Sequence, residues 1–268
     1  MKGTAKPTGK VFIVGAGPGA DDLITLRALR ALRQADVVLY DALISADLLD
    51  QAAESAECVF VGKRCGCHSM KQEEITRLIV SKAQEGKTVV RLKGGDPLIF
   101  GRGGEEALAC ADAGVDFEII PGVSAALGAA CFSGIPLTHR GIASSVAFVT
   151  AHGAHSGKSP DLSWINVARA VDTLVIFMGS TWLGEITDAL IESGLPGSRP
   201  VGVVSHATCE AQKTVLGTLD TIAGLVAEAR LETPMLIVVG EVARLSEALN
   251  WFKRKQEDSC VTAPPTLP

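Results

Sequence analysis

The first 120 residues alternate short, unbroken apolar runs with helical patterns, and that rhythm leaves few folds open to the chain. The runs are KVFIV (10–14), VVLY (37–40), CVFV (58–61), TVVRL (88–92) and DFEII (116–120). None shows the strict polar–apolar alternation of a strand with one wet face. Continuous runs of this length belong to strands covered on both sides. Helical patterns lie between them at 22–34, roughly 45–53, 71–85 and 103–113. Such alternation predicts an α/β fold with a mainly parallel, five-stranded open sheet. Ligands of such sheets sit beyond the carboxyl ends of the strands, so the loops there are the place to look for function.

Within the first helical pattern, Asp21 and Asp22 are placed to cap the N-terminus and to suit the positive end of the helix dipole. Leu23, Leu26 and Leu29 form one stripe, and Arg27, Arg30 and Arg33 form another that reads as a solvated face.

The pattern changes around PLTHRG (136–141). Strand candidates follow at VAFVT (146–150), TLVIFM (173–178), VGVVS (201–205), KTVLG (213–217) and MLIVV (235–239), with helices near 181–193, 219–230 and 241–252. These runs come closer together, which predicts a mixed or antiparallel sheet. A chain of 268 residues suggests about two domains at ~150 residues each. The expected division is an N-terminal α/β domain over 10–138 and a C-terminal α/β domain over 143–252, with flexible tails at 1–9 and 253–268. Residues 151–161 read as a long loop of the kind that often carries function.

Bulk properties narrow the partners. A net charge of −5 and 4% aromatic residues argue against a nucleic-acid partner, which calls for a basic excess or stacking aromatics. No apolar segment approaches the ~18–20 residues of a membrane span. The polar N-terminus lacks the apolar core of a signal peptide, so the expected location is the cytoplasm. Seven cysteines, odd in number and scattered, read there mostly as small buried hydrophobes. The cluster CGCH (65–68) has no second Cys/His pair at a usual zinc spacing, so no metal is expected.

Chemistry concentrates in the loops after the first five strands. KGGDPLIFGRGGEE (93–106) packs five glycines into fourteen residues beside Asp96, Arg102 and a Glu pair. A single turn explains one or two of those glycines; the rest imply close approach of backbone to a ligand. Asp41 follows strand two, Lys63 and Arg64 follow strand three, and PGVSAALGAA (121–130) follows strand five. One solvated charge at a strand end is ordinary. Five such loops on a single edge describe a site.

GAGPGA (15–20) satisfies the dinucleotide fingerprint G-x-G-x-x-A, with Asp36 about twenty residues on. Taken alone it suggests an NAD-dependent oxidoreductase. Pro18 lacks the N–H that a phosphate cradle uses, however, and Asp21 and Asp22 would repel a pyrophosphate. A sulfonium ligand brings no such conflict.

In order and spacing, GAGPGADDLITLRA, YDALI, VGKR, QEEI, RLKGGDPLIFGRGGEE, IPGVSAALGAACFSGIPLTHR and PMLIVVGEV resemble the S-adenosylmethionine-dependent tetrapyrrole methyltransferases. The likeness covers nearly all of residues 10–252. It is strongest to members that methylate uroporphyrinogen III, and weaker to those acting on later precorrins. The motifs begin within twenty residues of the start, so the dehydrogenase/chelatase region of fused sirohaem-forming members is not expected before them.

The resemblance implies a homodimer of two-domain subunits with S-adenosylmethionine in an active-site cleft between the domains. It implies C-methylation of uroporphyrinogen III at C2 and C7, giving precorrin-2 and S-adenosylhomocysteine. Carried over by motif, Pro18, Gly94, Gly95, Asp96, Ile99, Ser124, Ala125, Met178, Ala207 and Met235 would bind the cofactor. Arg102, Glu105 and Arg140 would face the macrocycle. Asp41 and Lys63 match positions proposed as proton acceptor and donor, with Glu105 a second candidate acceptor and Arg102 a third catalytic position. An arginine is effectively always protonated and so suits a substrate carboxylate better than a proton transfer. The chain departs from the common pattern at Ser124 (for Thr), at SHAT (205–208), at TAH (150–152) and at Met235 (for Ala).

Overall fold

The computed structural model describes residues 9–62, 70–152, 159–253 and 255–256. The chain divides into two compact units, Met1–Ala125 and Ala126–Pro268.

The first unit is built on β1 (Lys10–Gly15), β2 (Val37–Tyr40), β3 (Glu57–Phe60), β4 (Val89–Lys93) and β5 (Asp116–Ile120). They form one sheet in the order β3-β2-β4-β1-β5, with every pairing parallel. Both faces are covered, which is why the runs are continuous rather than alternating. Val11, Ile13, Val37, Leu39 and Val89 pack under α3 (Gln72–Gln84) and α4 (Gly103–Asp112). Val14, Val38, Val90 and Leu92 pack on the other side, against α1 (Leu26–Leu32) and α2 (Ala46–Leu49). The chain leaving β1 crosses toward β2, while the chain leaving the adjacent β4 crosses toward β5. Adjacent strands whose chains leave in opposite directions mark the carboxyl edge of a sheet as the place to look for a ligand.

The first helix differs from its expected form. Asp21–Leu23 make a short 3-10 turn, and α1 begins only after Thr25, whose hydroxyl accepts the Ala28 N–H. That late start turns the helix. Its buried face is Ala28, Ala31 and Leu32, whereas Leu26 is 72% exposed. Asp21 instead accepts a hydrogen bond from the Ser45 hydroxyl. The arginine stripe does face solvent.

The second unit holds β6 (Val146–Thr150), β7 (Thr173–Phe177), β8 (Pro200–Ser205), β9 (Lys213–Thr218) and β10 (Met235–Val239), in the order β6-β7-β10-β8-β9. Only the β6–β7 pair is parallel, so the sheet is mixed. One face packs on α6 (Leu183–Glu192) and α7 (Ile222–Glu228) through Leu183, Ile186, Leu190 and Ile222. The other face is covered by α5 (Ala125–Ser133), a helix inside a segment that reads as a loop. Ala126, Ala129 and Ala130 of α5, then Ile135 and Leu137, lie against Val175, Val204, Leu236 and Val238. These contacts carry residues 126–138 into the second unit, ahead of the change of pattern at 136–141. The region expected as one helix over 241–252 begins as a 3-10 helix (Glu241–Leu245) and continues as α8 (Ser246–Leu249).

Candidate active site

Three glycines from three loops meet at the carboxyl edge of the first sheet. A Cβ on Gly122 would stand 2.3 Å from the Gly95 carbonyl oxygen, and one on Gly15 would stand 2.5 Å from the Gly122 nitrogen. No side chain fits there. The loops are also laced together. Gly17 and Gly95 exchange backbone hydrogen bonds of 3.2 and 2.6 Å, and the Ala16 N–H donates to the Lys93 carbonyl at 2.8 Å. Asp96 accepts the Leu98 N–H on Oδ1 (2.8 Å) and the Gly122 N–H on Oδ2 (3.1 Å). Its carboxylate therefore joins the loop after β4 to the loop after β5, a structural duty inside a motif expected to touch cofactor.

This lacing bears on the dinucleotide reading of GAGPGA. A pyrophosphate cradle needs N–H groups pointing outward from the glycine loop into a helix N-terminus. Here Ala16 and Gly17 have given theirs to the next loop, and Pro18 has none. The helix proper starts at Leu26, beyond an acidic turn. These features disfavour a pyrophosphate at this loop.

Past Asp96 the loop becomes exposed and apolar at Leu98, Ile99 and Phe100. It then enters α4 through Phe100 (φ 53°) and Arg102 (φ 60°), left-handed conformations that cost non-glycine residues energy. The Gly103 N–H donates back to the Pro97 carbonyl at 2.9 Å. Arg102 and Glu105 form a two-pronged pair, Nε to Oε1 at 2.9 Å and Nη2 to Oε2 at 2.7 Å. The pairing pushes the Glu105 carboxyl below and the Arg102 guanidinium above their ordinary values. Both side chains are about half exposed, at 52% and 55%. Glu105 thus holds the guanidinium, and an incoming carboxylate would compete with it.

Beneath the edge lies a charged group that the sequence reading passed over. Strand alternation puts Asp41, Arg91 and Lys93 on the α3/α4 face of the sheet, the face where Val89 is core. Arg91 and Lys93 are each 4% exposed, and Glu106 of α4 is fully buried. Glu106 Oε1 accepts from Arg91 Nε (3.2 Å), Lys93 Nζ (3.1 Å) and Gln72 Nε2 (3.0 Å). Arg91 Nη1 donates to the Leu39 and Leu92 carbonyls (3.3 and 2.9 Å). Its Nη2 faces Asp41 Oδ2 at 3.5 Å. Burial and the neighbouring Arg91 push the Lys93 ammonium down from its ordinary value, with Glu106 opposing them. Apolar residues would stabilise such a position as well or better, so buried ions there point to a use. Asp41, 26% exposed, is the member of the group that reaches the surface. Its other oxygen accepts the Leu43 N–H at 3.1 Å.

In the second unit, strand directions bring the carboxyl ends of β7 and β8 beside the start of β10. Met178, Ala207 and Met235 therefore share one edge. Met178 is 46% exposed with φ 54°, so it is not core. His206 and Thr208 flank Ala207, also with positive φ. Arg140 stands exposed in the turn closed by His139 and Ala143, with no carboxylate partner among the described residues. His152 stacks on Trp182 at 6.2 Å.

Lys63, the CGCH cluster and His155 lie outside the described residues. Among the described residues no group of three or more His, Cys, Asp or Glu is placed to hold a metal ion. Of the four described cysteines only Cys110 is buried, its thiol pushed up to about 11 by burial and by Glu106. Cys58 and Cys131 are exposed, against the expectation of buried thiols. No described helix is long and apolar enough to cross a membrane.

A family model of the tetrapyrrole (corrin/porphyrin) methylases matches residues 10–223. The chain belongs to that family. The chain is 47% identical over 238 residues to the uroporphyrinogen-III C-methyltransferase of Priestia megaterium, across 89% of its own length and all of that relative. It is 47% identical over 260 residues to the sirohaem synthase of Chromobacterium violaceum, covering 97% of itself and 55% of that protein. The chain thus spans about half the length of the sirohaem synthases it matches. Among solved structures it is similar to the uroporphyrin-III C-methyltransferase of Thermus thermophilus complexed with S-adenosylhomocysteine. There the TM-score is 0.75 at 42% identity, over 88% of this chain and all of that one.

Proposed function

We propose that this methylase transfers two methyl groups from S-adenosylmethionine to C2 and C7 of uroporphyrinogen III, giving precorrin-2 through precorrin-1. The observation that carries this reading is the full-length match to a uroporphyrinogen-III C-methyltransferase at 47% identity. The laced glycine loops agree with it, since their backbones meet too closely for side chains and the Ala16 and Gly17 N–H groups a phosphate would use are already bonded. Gly94, Gly95, Asp96, Ile99, Ser124, Ala125 and Pro18 are the first-unit residues that would hold the cofactor, and Met178, Ala207 and Met235 those of the second. When bound, S-adenosylmethionine would supply the methyl group as an electrophile on sulfonium sulfur.

The chain's own work is to bind, orient and move protons. The substrate carries eight carboxylates, and Arg102 and Arg140 are free enough of the core to meet them with paired hydrogen bonds. Such contacts fix the rotation of the macrocycle and so choose the carbon that reacts. The pyrrole carbon that gains a methyl group carries no hydrogen of its own, so its attack on the sulfonium methyl leaves the ring positively charged until a proton departs from another position of the macrocycle. Asp41 is the carboxylate that would take it. The methylase would act as a homodimer in the cytoplasm. Titration calorimetry tests the ligand class: S-adenosylhomocysteine should bind and NADH should not. Tight NADH binding without S-adenosylhomocysteine binding would overturn the reading in favour of an oxidoreductase.

A further inference from the structure

We propose that Arg91, anchored by Glu106, is a positioning residue that aims the Asp41 carboxylate. The proposal rests on the reading of Asp41 as proton acceptor. Its support is geometric. Asp41 follows β2 and has two described constraints: the Leu43 N–H on Oδ1 and Arg91 Nη2 at 3.5 Å from Oδ2. Only the second reaches back into the body of the unit.

Arg91 is itself held at every nitrogen. Nε is on Glu106, Nη1 is on the carbonyls of Leu39 and Leu92, and Nη2 is left for Asp41. The planar fork makes this possible, because one group satisfies three directions at once. Glu106 is in turn fixed by Lys93 and Gln72, so the line from α3 and α4 to Asp41 is continuous, and its middle members Glu106, Lys93 and Arg91 are buried. Charged side chains in a packed layer occupy few rotamers, and that rigidity passes outward to a carboxylate only about a quarter exposed. Neither Arg91 nor Glu106 needs to touch a reactant.

Arg91→Lys keeps the charge but loses the fork, since one ammonium cannot span Glu106, two carbonyls and Asp41 together. With uroporphyrinogen III and S-adenosylmethionine, kcat should fall about 10- to 100-fold, as expected for displacing a catalytic group by up to ~1 Å. The KM for the macrocycle and the affinity for S-adenosylhomocysteine should stay within about twofold. The deciding comparison is Asp41→Asn alone and combined with Arg91→Lys. If Arg91 acts through Asp41, the double variant is no slower than Asp41→Asn. Multiplying losses, or a normal Arg91→Lys rate beside a slow Asp41→Asn, would overturn the proposal alone. A normal Asp41→Asn rate would overturn the assignment of Asp41 and the proposal with it.

Should Arg91→Lys not fold, Glu106→Gln replaces it with the same expectations. Should the wild-type chain not methylate uroporphyrinogen III, the functional reading falls. The crystal structure of Arg91→Lys then decides the positioning claim: a displaced Asp41 carboxylate supports it, and an unmoved one overturns it.

Discussion

Gly122→Ala puts the glycine junction to a quantitative test. The new Cβ would lie 2.3 Å from the Gly95 carbonyl oxygen and 2.8 Å from Gly15 Cα, where real Cβ contacts almost never fall below 3.0 Å. All three neighbours are backbone, so no side chain can swing aside. The loops after β1, β4 and β5 must part by about 0.7 Å to relieve the worst contact. That movement stretches the 3.1 Å bond from Gly122 to Asp96 and strains the Gly17–Gly95 pair. Overpacking of this kind costs roughly 1–3 kcal/mol of stability, or about 3–10 °C in Tm for a chain of this size. Misplacing a binding surface by nearly 1 Å weakens what it holds by up to ~100-fold. Calorimetry with S-adenosylhomocysteine should therefore show at least a tenfold loss of affinity in a variant that still melts cooperatively. Unchanged affinity and unchanged Tm would refute the claim that close backbone contact shapes this site.

Other expectations follow from the same geometry. Gly104, inside α4 with nothing within 4 Å of its would-be Cβ, is the control: Gly104→Ala should raise stability by about 0.5–1 kcal/mol in a denaturant melt. Arg102→Ala should lower kcat/KM for uroporphyrinogen III at least ~30-fold, the equivalent of one charge-assisted contact of about 2 kcal/mol. S-adenosylhomocysteine binding should persist, and near-normal turnover would remove Arg102 from the macrocycle site. Asp172 accepts hydrogen bonds from the N–H and hydroxyl of both Ser144 and Ser145, which lower its carboxyl from 3.8 to about 2. A folded value below the unfolded one means its contribution is complete above pH ~4 and is lost as pH falls toward 2. Acid melts of the wild type should steepen over that window, and Asp172→Asn should flatten it.

Strands were legible to within one residue because burial on both faces writes itself as an unbroken apolar run. The helices were less so, for particular reasons. In α5, AALGAACFS is small and apolar all round, so no polar face marks a helical period. At α1, the 3-10 turn and the Thr25 cap shift the phase of the leucine stripe. The glycine-rich loops announced a site by composition alone, yet their inner lacing could not be read from spacing. Asp96, expected at the cofactor, also joins two loops, which no spacing announces. Arg91, Lys93 and Glu106 were missed although a signal existed. Two cations at alternate positions of a strand otherwise wholly apolar demand a buried partner, and Glu106 is one of two acidic residues that open the next helix.

The central claim is tested most directly by incubating the purified chain with uroporphyrinogen III and S-adenosylmethionine and following product mass. The account predicts one added methyl group, then two, with two S-adenosylhomocysteine formed per macrocycle. No added methyl group, or accumulation of a product with three, would contradict it.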